Sequence, residues 1–208
     1  MSQPKLVLGT RNLKKRDELE TLLGVKGLAV VTLADYDEVP EVVEDGATFM
    51  ANARKKAIEL SQALGVWVLG EDSGLCVDAI DGAPGIYSAR YSGEPCDDER
   101  NNDKLLDALA DVPDERRTAH YVCTIAIADP TGTIRGEAEG KCHGRIIRER
   151  RGGNGFGYDP LFLIPSEGRT FGELSSEFKH SCSHRSVAVR ELRPQVVSLL
   201  EAGAWSMG

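Results

Sequence analysis

The sequence is poor in several features that define broad protein classes. Across its 208 residues no apolar run approaches the ~20 residues of a membrane-spanning helix, so no spanning segment is expected. The opening residues, MSQPKLVLGT, lack the long apolar core of a signal peptide, and a cytoplasmic protein is expected. Five cysteines (Cys76, Cys96, Cys123, Cys142 and Cys182) are odd in number and scattered, with no C-x-x-C pair. That argues against a zinc site or a disulfide framework. Lys and Arg number 25 against 33 Asp and Glu, a net charge of −8, whereas general nucleic-acid binders are usually basic. A small polyanion could bind such a chain only where local cations or a metal reverse the sign. There is no G-x-x-x-x-G-K-[ST] loop, no repeat, no low-complexity tract and no linker, so one domain over residues 1–208 is expected.

What is present is ordinary globular material, 41% hydrophobic and 28% charged. Residues 5–9, KLVLG, read as a buried strand, and Leu13, Leu19, Leu22 and Leu23 repeat at helical spacing over 12–23. A second strand is expected at 28–32, an acidic loop after it, and a helix at 47–64 closed by Gly65. The apolar run 66–70 reads as a strand ending at Glu71-Asp72, with Ser73-Gly74 as a turn and a short strand at 75–79. A Gly- and Pro-rich loop precedes a helix at 97–110 capped by Asp97 or Asp98. Two long strands then meet at Asp129-Pro130-Thr131-Gly132, a hairpin signal. A Gly-rich loop leads into another strand, and an amphipathic helix covers 184–202. The order predicts an α/β fold, a mixed sheet with helices on its faces.

Five short stretches carry chemistry-bearing residues. In LGTRNLKKRDEL a strand turns into a helix near Asn12, and free N–H groups at a helix start attract anions. Lys14, Lys15 and Arg16 sit where the helix dipole prefers acids, which suits a phosphate there or a solvated basic face. Glu71 and Asp72 read as oxygen ligands for Mg²⁺ or as turn caps. In the helix 47–64, Phe49, Asn52 and Lys56 share a face with Ala53 and Leu60, so the Asn and Lys need partners or must snorkel. In GNGFGYDP, glycines permit close approach to a ligand, and Phe156 and Tyr158 offer rings for stacking. In FKHSCSHRS, Lys179, His180, His184 and Arg185 crowd donors for a phosphate or a carbonyl. Together these are the parts of a nucleoside triphosphate site that uses Mg²⁺.

Over nearly its whole length the chain resembles the inosine/xanthosine triphosphate pyrophosphatase family, also called Ham1-like. The resemblance rests on TRNLKKRDEL, FMANARKKA, EDSGLCVDAIDGAPGIYSARYSG, GNGFGYDPLF and SHRS, in that order. It implies a long mixed twisted sheet with flanking helices, two lobes around a central nucleotide-binding cleft, and a homodimer. It implies Mg²⁺-dependent hydrolysis of ITP, dITP or XTP to a monophosphate and pyrophosphate. By motif, Thr10, Arg11, Asn12, Leu13, Lys14 and Lys15 would line the triphosphate, with Asn52, Lys56 and Ser73. Asp72 would be the general base and a metal ligand, with Glu44 and Glu71 as further candidate ligands. Phe156, Gly157, Tyr158 and Asp159 would line the base pocket, and Lys179, His184 and Arg185 would read the base. Three departures stand out: Arg11 where many members have Gly, Ala51 before Asn52 where many have Glu, and Glu71 where many have Asp.

The implied specificity has a physical basis. Inosine and xanthine carry a 6-keto acceptor where adenine carries a 6-amino donor, so buried donors would pair with the first and be stranded by the second. Two other readings remain at this stage: a pyrophosphatase for other modified nucleotides, and a nucleotide sensor without turnover.

Overall fold

The computed structural model describes residues 3–206. In chain order its elements are β1 (Lys5–Leu8), α1 (Leu13–Leu23), β2 (Ala29–Thr32), α2 (Phe49–Leu64), β3 (Val68–Val77) and α3 (Asp98–Ala108). They continue with β4 (Thr118–Ala128), β5 (Ile134–Ile146), β6 (Phe162–Ile164), β7 (Arg169–Thr170), α4 (Ser176–Cys182) and α5 (His184–Glu201). Short 3₁₀ turns fill several connections, among them Gly85–Arg90. The strands form one mixed sheet in the order β2-β1-β3-β4-β5-β6-β7. β1 pairs in parallel with β2 and β3, whereas β6 runs antiparallel to β5 and β7.

The chain divides into two compact units, each drawn from separate stretches of the sequence. Among the described residues the first comprises 3–72, 123–140 and 185–206; the second comprises 73–122 and 141–184. In the first unit the strands are apolar on both faces because helices cover both. Leu6, Leu8, Leu69, Ile125 and Ile127 pack with Leu19 and Leu23 of α1 and with Ala188, Leu192 and Val196 of α5. Val7 and Val68 point the other way, onto Leu33 and Leu60, beside Ala53 and Ala57 packed on Ala126 and Ala128. Each such Leu contributes roughly 2–3 kcal/mol on burial. Small residues bring α2 close to the sheet: a Cβ at Gly70 would overlap the Ala53 carbonyl. The second unit has an aromatic core. The Tyr121 and Phe162 rings lie 4.6 Å apart, and Phe162 stacks on Phe171 at 5.4 Å.

The expected break at Ser73-Gly74 is absent. β3 continues through Glu71, Asp72, Ser73 and Gly74, so the two carboxylates lie in mid-strand. The turn reading rested on acidic residues seeking solvent. Here Glu71 is 1% and Asp72 6% exposed, each compensated by fixed cations and donors, so the strand has no reason to end. The other expected helices and the hairpin strands form close to the expected positions, with Asn12, Thr48 and Asp97 as N-caps. Helix α4 and strand β7 had no counterpart in the sequence reading; both are short.

Candidate active site

The first unit gathers charged side chains around the middle of β3. Asn12 caps α1, its Oδ1 accepting from Lys14 N and Lys15 N, while Thr10 Oγ1 accepts from Asn12 N. The Thr-x-Asn stretch is thus a self-supporting turn, and Lys15 in the first turn of α1 reaches toward β3. Its Nζ lies 3.0 Å from Glu71 Oε2. Burial alone would push this ammonium down, and so would the nearby Arg185; the Glu71 and Asp72 carboxylates together outweigh both, and the balance lies above the ordinary lysine value. Arg11 points elsewhere, Nη2 donating to Val39 O at 3.0 Å, and Leu13 is 62% exposed.

From α2, Asn52 and Lys56 reach the same place, one turn apart on the inward stripe. Asn52 Nδ2 donates to Asp72 Oδ2 at 3.0 Å while its Oδ1 accepts from Gly46 N at 2.7 Å, so one amide ties the acidic loop to β3. Lys56 Nζ donates to Glu71 O at 2.9 Å and lies 3.0 Å from Glu44 Oε2. Thr124 Oγ1 donates to Asp72 O at 3.2 Å. Burial pushes the Asp72 carboxyl up to about 6, against the pull of Lys15, Asn52 and Lys56, and Glu44 adds to the rise. A carboxylate with a pKa near the working pH is the form a general base takes.

Glu71 behaves differently from its neighbour. Its Oε1 accepts from Arg185 Nη2 at 2.9 Å and from the Cys123 thiol at 3.4 Å, while Oε2 faces Lys15. Arg185 also pairs with Glu18 of α1. The guanidinium is 1% exposed, so the residue expected to read a base is held among carboxylates of its own unit. The group is a chain of alternating charge, Lys15, Glu71, Arg185 and Glu18, buried at its centre and half-buried at its two ends. Each ion offsets the desolvation of the next.

The second unit holds the aromatic turn. Asp159 organises it, Oδ2 accepting from Phe156 N at 2.9 Å and from Lys179 Nζ at 2.6 Å. Lys179 Nζ also sits 4.6 Å from the centre of the Phe156 ring, a cation–π contact. Gly155 and Gly157 both have positive φ, and a Cβ at Gly155 would collide with the Asp159 carboxylate. Tyr158 is buried and its hydroxyl donates to Ser88 O at 2.8 Å. His184 stacks on Tyr121 at 4.8 Å. Of the four residues expected to line a base pocket, Phe156 and Gly157 keep partly exposed surface, whereas Tyr158 and Asp159 are buried.

Two sets of residues escaped the sequence reading. Glu18, Cys123 and Thr124 complete the charged cluster, and only Glu18 had a signal, an acid inside a basic run. On α3, Asp98, Asn101 and Asn102 hold neighbouring loops. Two adjacent asparagines inside a helix, where Asn is a poor former, were the available sign.

The comparisons with known proteins agree with one another. The Ham1 family model matches residues 6–195. A dITP/XTP pyrophosphatase from Rhodopirellula baltica is 52% identical over 201 residues, covering 97% of each chain. Another from Desulforamulus reducens is 51% identical, covering 90% of this chain and 92% of that protein. Among solved structures, a HAM1 protein from Coxiella burnetii superposes with a TM-score of 0.84 at 35% identity, covering 96% of this chain and 99% of that one. A nucleoside-triphosphatase (dITP/XTP pyrophosphatase) from Mycobacterium abscessus gives 0.73 at 40% identity, covering 94% and 98%.

Proposed function

The chain belongs to the Ham1 family, and from that premise we propose that it hydrolyses non-canonical purine nucleoside triphosphates, dITP and XTP among them, to the monophosphate and pyrophosphate. The observation that carries this reading is Asp72, a buried carboxylate poised near pH 6 beside Lys15, Lys56 and Asn52. Asp72 takes the proton from a water attacking the α-phosphorus, the bond to the α–β bridging oxygen breaks, and pyrophosphate departs with the electron pair. Lys15 and Lys56 neutralise the charge that grows on the departing oxygens. Asn52 keeps the Asp72 carboxylate oriented. In the second unit, Phe156 supplies a face for the base, with the Lys179 ammonium 4.6 Å from the centre of that ring.

The same family reading adds Mg²⁺ as cofactor, a homodimer as the assembly and the cytoplasm as the setting. The donor set supports the metal: Asp72 and Glu44 are hard oxygen donors whose like charges act on one another. Mg²⁺ typically takes one or two carboxylates and completes its shell with water and phosphate. When bound, it would supply charge neutralisation at the phosphate oxygens. Glu71, engaged by Lys15 and Arg185, fits better as a support for those cations than as a third ligand.

The test is product analysis with ITP, dITP, XTP, ATP and GTP, with and without Mg²⁺, scoring pyrophosphate against orthophosphate. Pyrophosphate from the first three, dependent on Mg²⁺, is the expected result. Orthophosphate, or binding without turnover, would overturn the proposal.

A further inference from the structure

We propose that Asn102, with Asp98, positions the base-recognition turn 156–159, so that α3 governs which base the protein accepts. This deepens the function proposed above and rests on its assignment of that turn to the base. Both polar backbone groups of Gly157 are taken by α3. Gly157 N donates to Asp98 Oδ2 at 2.8 Å, and Asn102 Nδ2 donates to Gly157 O at 2.9 Å. The second proton of the same amide goes to Asp98 O at 2.8 Å, so the side chain that grips the turn is itself anchored to its own helix. Gly157 has a φ of +61° and lies between Phe156 and Tyr158, so fixing its peptide planes fixes the directions of both rings.

The grip extends to the recognition donor. Phe156 N and Lys179 Nζ share Asp159 Oδ2, so a shift of Gly157 would be passed to Phe156, to Asp159 and to the ammonium above the ring. The neighbouring asparagine does a parallel task on another loop. Asn101 Nδ2 donates to Ala89 O at 2.9 Å and its Oδ1 accepts from Ser92 N at 2.7 Å. That loop in turn receives the Tyr158 hydroxyl at Ser88 O. Asn101 and Asn102 are 2% and 1% exposed, so both ends of the Asn101 amide and the Nδ2 group of Asn102 are buried and committed to backbone partners rather than solvated. Discrimination between a keto acceptor and an amino donor depends on where the donor stands, and small displacements of a positioned group have large kinetic effects.

The experiment compares kcat and KM for ITP and ATP in the wild-type protein, Asn102→Ala, Asp98→Ala and Asp98→Asn, each checked for folding by circular dichroism. Asn102→Ala and Asp98→Ala are expected to raise KM for ITP by about tenfold, with a smaller change in kcat, and to narrow the ITP/ATP ratio of kcat/KM by a similar factor. Asp98→Asn keeps an acceptor oxygen toward Gly157 N and is expected to restore both values. Asp98 is exposed, so its substitutions carry the test even if Asn102→Ala fails to fold. Folded variants that keep the wild-type ratio within twofold would overturn the role of α3. A wild-type protein with no preference for ITP over ATP would overturn the functional assignment of the turn itself.

Discussion

The charged cluster of the first unit and the aromatic turn of the second solve the same problem, holding polar groups inside a protein, by different means. Around β3, ions compensate ions: Lys15, Glu71, Arg185 and Glu18 form one alternating chain, with Lys56 and Glu44 beside it. Around Gly157 the Lys179–Asp159 ion pair stands beside a set of backbone clasps, in which the Asp98 carboxylate, the Asn102 amide and the Tyr158 hydroxyl hold main-chain groups. The difference suits the chemistry proposed for each. A polyphosphate needs fields that oppose its charge, and a base needs donors and acceptors at defined places. It also separates what substitution should do: removing a charge from the first cluster strands another charge, whereas loosening the second moves geometry.

The sharpest test of the first region is Asp72→Asn. Turnover is expected to fall by about 10²–10⁴, the usual share of a general base, while the fold survives. Near-wild-type turnover, measured as pyrophosphate release, would mean that the charged cluster binds without catalysing. Next in size is Glu71→Gln. Arg185 and Lys15 would lose a buried counter-ion, so a stability loss of roughly 3–5 kcal/mol is expected in urea unfolding. The Mg²⁺ concentration for half-maximal activity should stay within about twofold of wild type, since Glu71 is read as a support for cations. A large rise in that concentration would return Glu71 to the metal.

A smaller effect concerns pH. The folded pKa of Asp72, about 6, lies above the ordinary 3.8, so the folded protein binds an extra proton between those values. Stability therefore falls as pH rises through that window, by about 3 kcal/mol from this group. With divalent ions chelated, Asp72→Asn should gain on the wild type as pH rises from 4 to 7, and the two should converge toward pH 4. Equal pH slopes in denaturant titrations would count against a desolvated Asp72. The smallest change is expected for Arg11→Ala. Its guanidinium braces Val39 O at the surface, and such sites usually shift stability by no more than about 0.5 kcal/mol. A tenfold rise in KM would instead place Arg11 on the phosphate.

Much of this was legible beforehand where local chemistry dictates local structure. The helix start near Asn12, the cap at Asp97, the glycine stop at Gly65 and the hairpin at Asp129–Gly132 were readable because each depends on a few neighbouring residues. The inward stripe of Asn52 and Lys56 was readable from helical period, and its demand for partners is met by Asp72, Glu44 and the Glu71 carbonyl. The course of β3 was not readable. Glu-Asp-Ser-Gly favours a turn taken alone, and only side chains from distant parts of the chain make it a buried strand. Glu18, Arg185 and Cys123 lie far from Glu71 in sequence, and nothing local announces their pairing.

The sequence by itself determined most of the longer elements, the family and the set of charged and aromatic groups available for chemistry, because periodicity, capping and the motifs themselves are short-range properties. Only the tertiary structure decided how those groups divide. It committed Glu71 to Lys15 and Arg185, raised the Asp72 carboxyl by burying it, and drew Asp98 and Asn102 onto Gly157. The physical reason is that the state of a buried polar group depends on which partners surround it, and those partners come from whatever chain the fold brings near.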